Sequence, residues 1–291
     1  MYLGLHVGTA TGHEAAVATV ASLGCTAMQI FSGNPKTYRL EAVDAPALER
    51  FRSARTAAGI ERTAIHTSYL INLASDQPKI ANNSLRLLRH DLAVAAAGGI
   101  DFVNTHLGSY GTRDREQGFA AVVQLLEKAL AAIASGVYLV LENSAGAGAL
   151  CGGTLEELGA FVRTLNHPQL GICLDTAHSW AAGYQIDSAQ AVDRFIMLVD
   201  QCIGLDRVKM FHFNDTQVPL GGNRDRHWHI GEGLIGMAGF RALARHPELQ
   251  GKTAILETPG DATDDARNMQ TLRLIFARAR SDDAAPLPTG S

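Results

Sequence analysis

The stretch FHFNDTQVPLGGNRDRHWHIGEG, residues 211–233, places three histidines, two aspartates, two arginines and a glutamate behind an apolar run, RVKMF. Other apolar runs of this chain also finish in a side chain able to hold a metal: His66 in AIHT, His106 in FVNTH, Glu142 in VLEN, Asp175 in CLD, His212 in MFHF and Glu257 in ILET. A single histidine or glutamate at such a place is usually a hydrogen-bonded or solvated group, but six at corresponding places call for a shared cause. Neutral imidazole and carboxylate suit Zn²⁺, and the carboxylates also accept Mn²⁺ or Mg²⁺. Three further candidates lie in loops. His178 stands three residues beyond Asp175, and Asp225 and His227 flank Arg226, so in extended backbone their side chains project to one side. Nine ligands exceed the need of one ion and suit three ions that share a carboxylate. Close cations of this kind can hold the oxygens of a phosphodiester, make an attacking water acidic near neutral pH and stabilise the leaving alkoxide. Phosphodiester hydrolysis is the expected reaction class.

Such ligands converge only if the elements bearing them end on one face. Eight short β-branched or aliphatic runs recur: 3–7, 27–31, 63–67, 102–106, 137–143, 170–175, 207–213 and 253–258. Between them EAAVATVASLG, SLRLLRHDLAVAAAG, FAAVVQLLEKALAAIASG and DRFIMLVDQCIGL carry apolar residues at i, i+3 and i+4, and three of the four end at a glycine suited to a helix C-terminus. Alternating strands and helices imply parallel pairing with right-handed crossovers. Eight units predict an α/β fold, a (β/α)₈ TIM barrel in a single domain over residues 1–280, with an open doubly wound sheet as the alternative. In a barrel the strand C-termini share one face, where active sites assemble. SDDAAPLPTGS, residues 281–291, reads as a disordered tail.

Composition narrows the class further. A 291-residue chain with 46% hydrophobic residues matches a soluble globular protein, and no apolar stretch approaches the roughly 20 residues that span a bilayer. No leader pattern opens the chain, so a cytoplasmic location, nucleoid-associated when on DNA, is the default expectation. The cysteines at 25, 151, 173 and 202 are far apart and predict neither a disulfide framework nor a thiolate zinc site. With 25 Lys and Arg against 29 Asp and Glu, the formal net charge of −4 argues against nucleic-acid binding, unless bound divalent cations offset the acids.

IHTSYLINLAS, NTHLGS, LENSAGAG, CLDTAHSWAAGY, HFNDTQVPLGGNRDRHWHIGEGLIG and LETPG, running in order from residue 65 to 260, resemble the endonuclease IV family of zinc-dependent abasic-site (AP) endonucleases. LGLHV and QIFSGNP near the N-terminus extend the likeness over nearly the whole chain. The resemblance implies a TIM barrel with three Zn²⁺ ions that cuts damaged double-stranded DNA 5′ to abasic sites. The products would be a 3′-hydroxyl and a 5′-deoxyribose phosphate, and 3′-blocking groups would be removed as well. It further implies that His66, His106 and Glu142 hold the first zinc; that Glu142, Asp175, His212 and Glu257 hold the second; and that His178, Asp225 and His227 hold the third. Glu142 and Glu257 would be the catalytic carboxylates; for the oligomeric state, a monomer is the default expectation.

For DNA, the resemblance implies that Tyr69 and Leu70 insert beside the lesion, as aromatic and apolar wedges do. Lys36 stands in SGNPKTYR where the family often has arginine; lacking a planar guanidinium, it suits phosphate contact rather than stacking. Arg226 is placed for a phosphate or for an ion pair. His227 keeps the ligand role by its spacing from Asp225; where the family commonly has two adjacent histidines this chain has His227, Trp228 and His229, and His229 is expected to be a solvated group or one that lies behind the ligands. His6 is expected either to orient a ligand or to be a satisfied buried histidine, and His13, His90, His167 and His246 to lie at the surface. Two rivals use the same residues differently. A xylose-isomerase-like sugar isomerase or epimerase needs only Glu142, Asp175, His212 and Glu257, and a catalytically silent damage binder would be expected to lack some ligands.

Overall fold

Alternating inward and outward side chains organise this molecule, seen in a computed structural model that describes residues 1–283. In chain order the elements are β1 (Tyr2–His6), α1 (His13–Ser22), β2 (Ala27–Phe31), α2 (Ala45–Ala57), β3 (Arg62–His66), α3 (Pro78–Gly98), β4 (Phe102–Thr105), α4 (Arg115–Leu130), β5 (Tyr138–Glu142), α5 (Leu155–Leu165), β6 (Leu170–Asp175), α6 (Thr176–Ala181), α7 (Ala189–Cys202), β7 (Val208–His212), α8 (Gly236–Arg245), β8 (Thr253–Leu256) and α9 (Ala262–Asp283). Neighbouring strands pair in parallel in sequence order, and β8 returns to β1, which closes the barrel. The TIM barrel expected from the alternation is therefore present, and the open sheet is not.

Two buried clusters follow from the strand period of two. Outward residues such as Leu5, Met28, Ile65, Val103, Leu141, Leu174 and Phe211 pack against the helices in one large core. Inward residues Ala27, Ala64, Phe102, Val140, Cys173, Met210 and Ile255 fill the lumen as a separate cluster. The next inward positions, two residues further along each strand, are Gln29, His66, Asn104, Glu142, Asp175, His212 and Glu257. The lumen thus changes from apolar to ligand-bearing one layer up, and apolar packing below fixes where the ligands stand.

Local sequence sets the element ends. Asp44, Asp114, Thr154 and Ser188 cap their helices by accepting from backbone N–H groups of the first turn. Gly99 ends α3 in left-handed backbone at φ 61°. Gly4 lets β1 lie against β2, since a Cβ there would stand 2.1 Å from the Ala27 oxygen. The helix read through IASG stops earlier, at Leu130. Of the tail expected from 281, residues 281–283 complete α9 and the rest lies outside the described residues. All four cysteines are free.

Candidate metal centre

Six of the nine candidates stand at or one residue past the C-terminal ends of β3, β4, β5, β6, β7 and β8. His66, Glu142, Asp175 and His212 end their strands, whereas His106 and Glu257 follow by one residue. His178 lies in the first turn of α6, where Asp175 accepts from its N–H at 2.8 Å. Asp225 and His227 come from the loop between β7 and α8.

The side chains gather in three overlapping sets. Ligand atoms of His66, His106 and Glu142, of Asp175, His178 and His227, and of Glu142, Asp175, His212 and Glu257 each lie within 4.8 Å of one another. Glu142 divides its oxygens: Oε2 is 3.5 Å from Nε2 of both His66 and His106, and Oε1 is 3.0 Å from Nδ1 of His212. That is the arrangement of a carboxylate shared between two sets. The third set gains a member, because Asp175 Oδ2 is 3.5 Å from His227 Nε2. Asp225 Oδ1 completes it at 3.3 Å from His178 Nε2 and 3.4 Å from His227 Nε2.

Hydrogen bonds fix which nitrogen each histidine offers. The Nδ1 atoms of His66, His178 and His227 face the backbone oxygens of Thr67, Asn143 and Glu257 at 2.8, 3.0 and 3.0 Å, so each donates there and leaves Nε2 with a lone pair. His178 Nε2 and His227 Nε2 are buried and have no hydrogen-bond partner among the described residues. Buried polar atoms are rarely left so. Unpaired nitrogens facing carboxylates across 3.3–3.5 Å fit a cation between them.

Electrostatics agree. Burial opposes ionisation of Glu142, but His106 and His212 beside it hold its carboxyl well below the usual range. Burial also opposes charge on His178 and His212, yet Asp175, Asp225 and Glu142 around His178, and Cys173 with Glu142 and Glu257 around His212, raise both rings well above the usual histidine value. Hydrogen bonding and charge from His178 hold Asp225 down at about 2, against the effect of burial.

An outer layer holds the ligands, and within it Gln29 and Asn104 are the two members not expected from the sequence. Asn104 Nδ2 donates to Glu142 Oε2 at 2.5 Å, and Gln29 Nε2 donates to Glu257 Oε1 at 2.6 Å. Asn214 donates to Asp175 Oδ2 at 2.6 Å and accepts from the Glu257 N–H at 2.8 Å, and Asn143 accepts from the Asp175 N–H at 2.6 Å. His6 Nδ1 lies 3.1 Å from Glu257 Oε1, in keeping with its role as a ligand-orienting group. His229 packs against α9 instead, its Nδ1 3.0 Å from Asn268 Nδ2, and is a structural contact.

Above the ligands opens a cleft of about 600 Å³ bordered by Tyr69, Arg226 and Pro259. Tyr69 is 65% exposed and rests edge-on against Phe31 at 5.2 Å. Leu70 is half-buried, with its carbonyl accepting from Tyr38 Oη at 3.1 Å. Lys36 is exposed on the β2–α2 loop, outside the cleft lining. That loop is tied down: Ser68 donates to the Pro35 oxygen at 2.6 Å, Arg86 to the Tyr38 oxygen at 2.8 Å, and Ser32 to Asp91.

A closed parallel barrel whose strand ends collect imidazoles and carboxylates beneath an open cleft defines a metal-using enzyme of the xylose isomerase-like TIM barrel class, and a family model of that description matches residues 17–277. Among curated proteins the chain is 40% identical to a probable endonuclease 4 of Natranaerobius thermophilus, over 96% of this chain and 99% of that protein. It is 38% identical to the probable endonuclease 4 of Solibacter usitatus, over 94% and 96%. The crystal structure of endonuclease IV from Thermus thermophilus matches with a TM-score of 0.86 at 34% identity, covering 96% of this chain and all of that one. The chain belongs to the endonuclease IV family. A D-tagatose 3-epimerase-like protein, at a TM-score of 0.76 and 16% identity, shares the fold alone.

Proposed function

We propose that this chain is a DNA repair endonuclease that hydrolyses the phosphodiester on the 5′ side of abasic sites in duplex DNA, leaving a 3′-hydroxyl and a 5′-deoxyribose phosphate. Removal of 3′-blocking groups uses the same centre. The observation that carries the reading is the gathering of eight ligands in three overlapping groups, joined through Glu142 and Asp175 and completed by Asp225 beside His178 and His227, at the floor of a surface cleft. Endonucleases among its relatives support DNA as the substrate.

His66, His106 and Glu142 would hold one zinc; Glu142, Asp175, His212 and Glu257 a second; and His178, Asp225 and His227, with Asp175 beside them, a third. Zinc ions there supply Lewis-acid chemistry, withdrawing charge from phosphodiester oxygens and acidifying the attacking water. Glu142 and Glu257 are the catalytic carboxylates, set by Asn104, Gln29 and His6. Arg226 at the cleft mouth and Lys36 on its tied loop meet phosphates, and Tyr69, with Leu70 beneath it, props the gap left by the missing base. One chain supplies every ligand, so a monomer suffices. A sugar epimerase would use the four-ligand set and leave His66, His106, His178, Asp225 and His227 without work.

A duplex oligonucleotide with one abasic-site analogue tests the proposal. Zinc-loaded protein should incise it 5′ to the lesion and leave an extendable 3′ end; intact substrate would overturn the reading.

A further inference from the structure

Asp215 is a fully buried carboxylate three residues past the end of β7, and it belongs to none of the three ligand sets. It nevertheless accepts five backbone hydrogen bonds. Oδ1 takes the N–H of Thr216 at 2.8 Å and of Ile235 at 3.0 Å; Oδ2 takes those of Gly231 and Gly233 at 3.0 Å and of Gly236 at 3.2 Å. Helix α8 begins at Ile235 and Gly236 with no side-chain cap of its own, so this carboxylate, distant in sequence, satisfies its first donors and meets the positive end of its dipole.

The main chain reinforces the tie. The Asp215 oxygen accepts from Trp228 N–H at 2.6 Å, the Thr216 oxygen from Leu234 N–H at 2.7 Å, and Thr216 Oγ1 donates to the Arg226 oxygen at 2.6 Å. Both ends of the 217–230 loop therefore close on one side chain and its neighbour. That loop carries Asp225 and His227, the loop-borne members of the third set, and no ligand of the first two. Gly233 is pressed against the same anchor, since a Cβ there would stand 2.4 Å from Asp215 Oδ1 and 2.4 Å from the Thr216 oxygen.

We infer that Asp215 is a positioning residue for the third metal site alone: through its backbone hydrogen bonds it holds Asp225 and His227 against His178, while strand ends hold the other ligands. The inference rests on the three-zinc reading, and its consequence is that the third ion can be lost without the other two.

Zinc-free wild type, Asp215→Asn and Gly233→Ala, each as the full chain, are titrated with zinc against a chromogenic chelator, with far-UV circular dichroism as the check on fold. Wild type should take three zinc ions. Both variants should keep two at wild-type affinity and hold the third at least about tenfold more weakly. Should Asp215→Asn not fold, Gly233→Ala carries the test, since it keeps the carboxylate and crowds it together with the Thr216 oxygen. A merely structural role would lower the melting temperature yet leave all three affinities unchanged or reduce them together, and either result overturns the inference. A wild-type chain that binds no zinc would overturn the three-zinc reading itself.

Discussion

Gln29 Oε1 and His212 Nε2 face each other at 3.1 Å, so His212 donates there and turns Nδ1 toward Glu142 and Glu257, the reverse of His66, His178 and His227. Gln29 also donates to Glu257 at 2.6 Å, and so sets two ligands of the four-residue set at once. Replacing it with methionine keeps the volume but removes acceptor and donor. Outer partners of metal ligands typically contribute 10–100-fold in affinity. Gln29→Met should weaken one zinc by about that factor in chelator competition; unchanged affinity would show that His212 keeps its tautomer unaided.

Glu142→Gln removes the anion that four histidines face within 3.0–3.5 Å. The amide keeps the shape but offers one acceptor where two sets each use an oxygen. Incision of abasic DNA should fall by more than the roughly 100-fold that loss of an outer partner costs, with an unchanged far-UV spectrum. Near-normal cutting would mean that Glu142 does not join the sets.

Much of this was readable from residue order. Eight apolar runs alternating with helical segments define the barrel, and the histidine, aspartate or glutamate at the end of six of them marks the shared face. Gln29 and Asn104 escaped because both sit inside strands, where an amide reads as a partner for the backbone or a neighbour. The signal was parity: Gln29 is two residues after inward Ala27, and Asn104 two after inward Phe102 and two before His106. The part played by Asp215 could not be read at all, because its partners come from Thr216 beside it and from Gly231 to Gly236 across a loop whose path no periodicity sets. His229 likewise needed α9, and its Asn268, to be placed before its role was clear.

Metal-free protein and zinc complex should differ in pH response. His178 and His212 are raised well above 6.5 in the folded chain, so they contribute stability that is complete below 6.5 and lost as pH rises through their raised values. Glu142 and Asp225 are lowered, so their contribution holds above the ordinary carboxylate range and is lost as pH falls, for Asp225 through about 2. Zinc needs unprotonated imidazole and releases protons on binding. The rise in melting temperature that zinc produces should therefore grow from about pH 5.5 to about pH 8. An equal rise at both would mean that zinc and protons do not compete for these nitrogens.

Tyr69 and Arg226 border the same cleft but should act on DNA by different forces. The Tyr69 ring is exposed and braced edge-on by Phe31, which suits stacking on a base or in a gap; such contacts are worth about 1–3 kcal/mol each. Tyr69→Ala should weaken binding to abasic duplex by about tenfold or more, with little effect on intact duplex and an unchanged salt dependence. Arg226 is exposed between two ligands and presents a cation, so Arg226→Ala should weaken both duplexes alike and reduce the slope of log affinity against log salt by about 1. Zinc content should be unchanged in both variants, because neither side chain belongs to a ligand set. If Tyr69→Ala lowered affinity for intact and abasic duplex equally, the ring would be a general backbone contact, and recognition of the missing base would have to lie elsewhere on the rim.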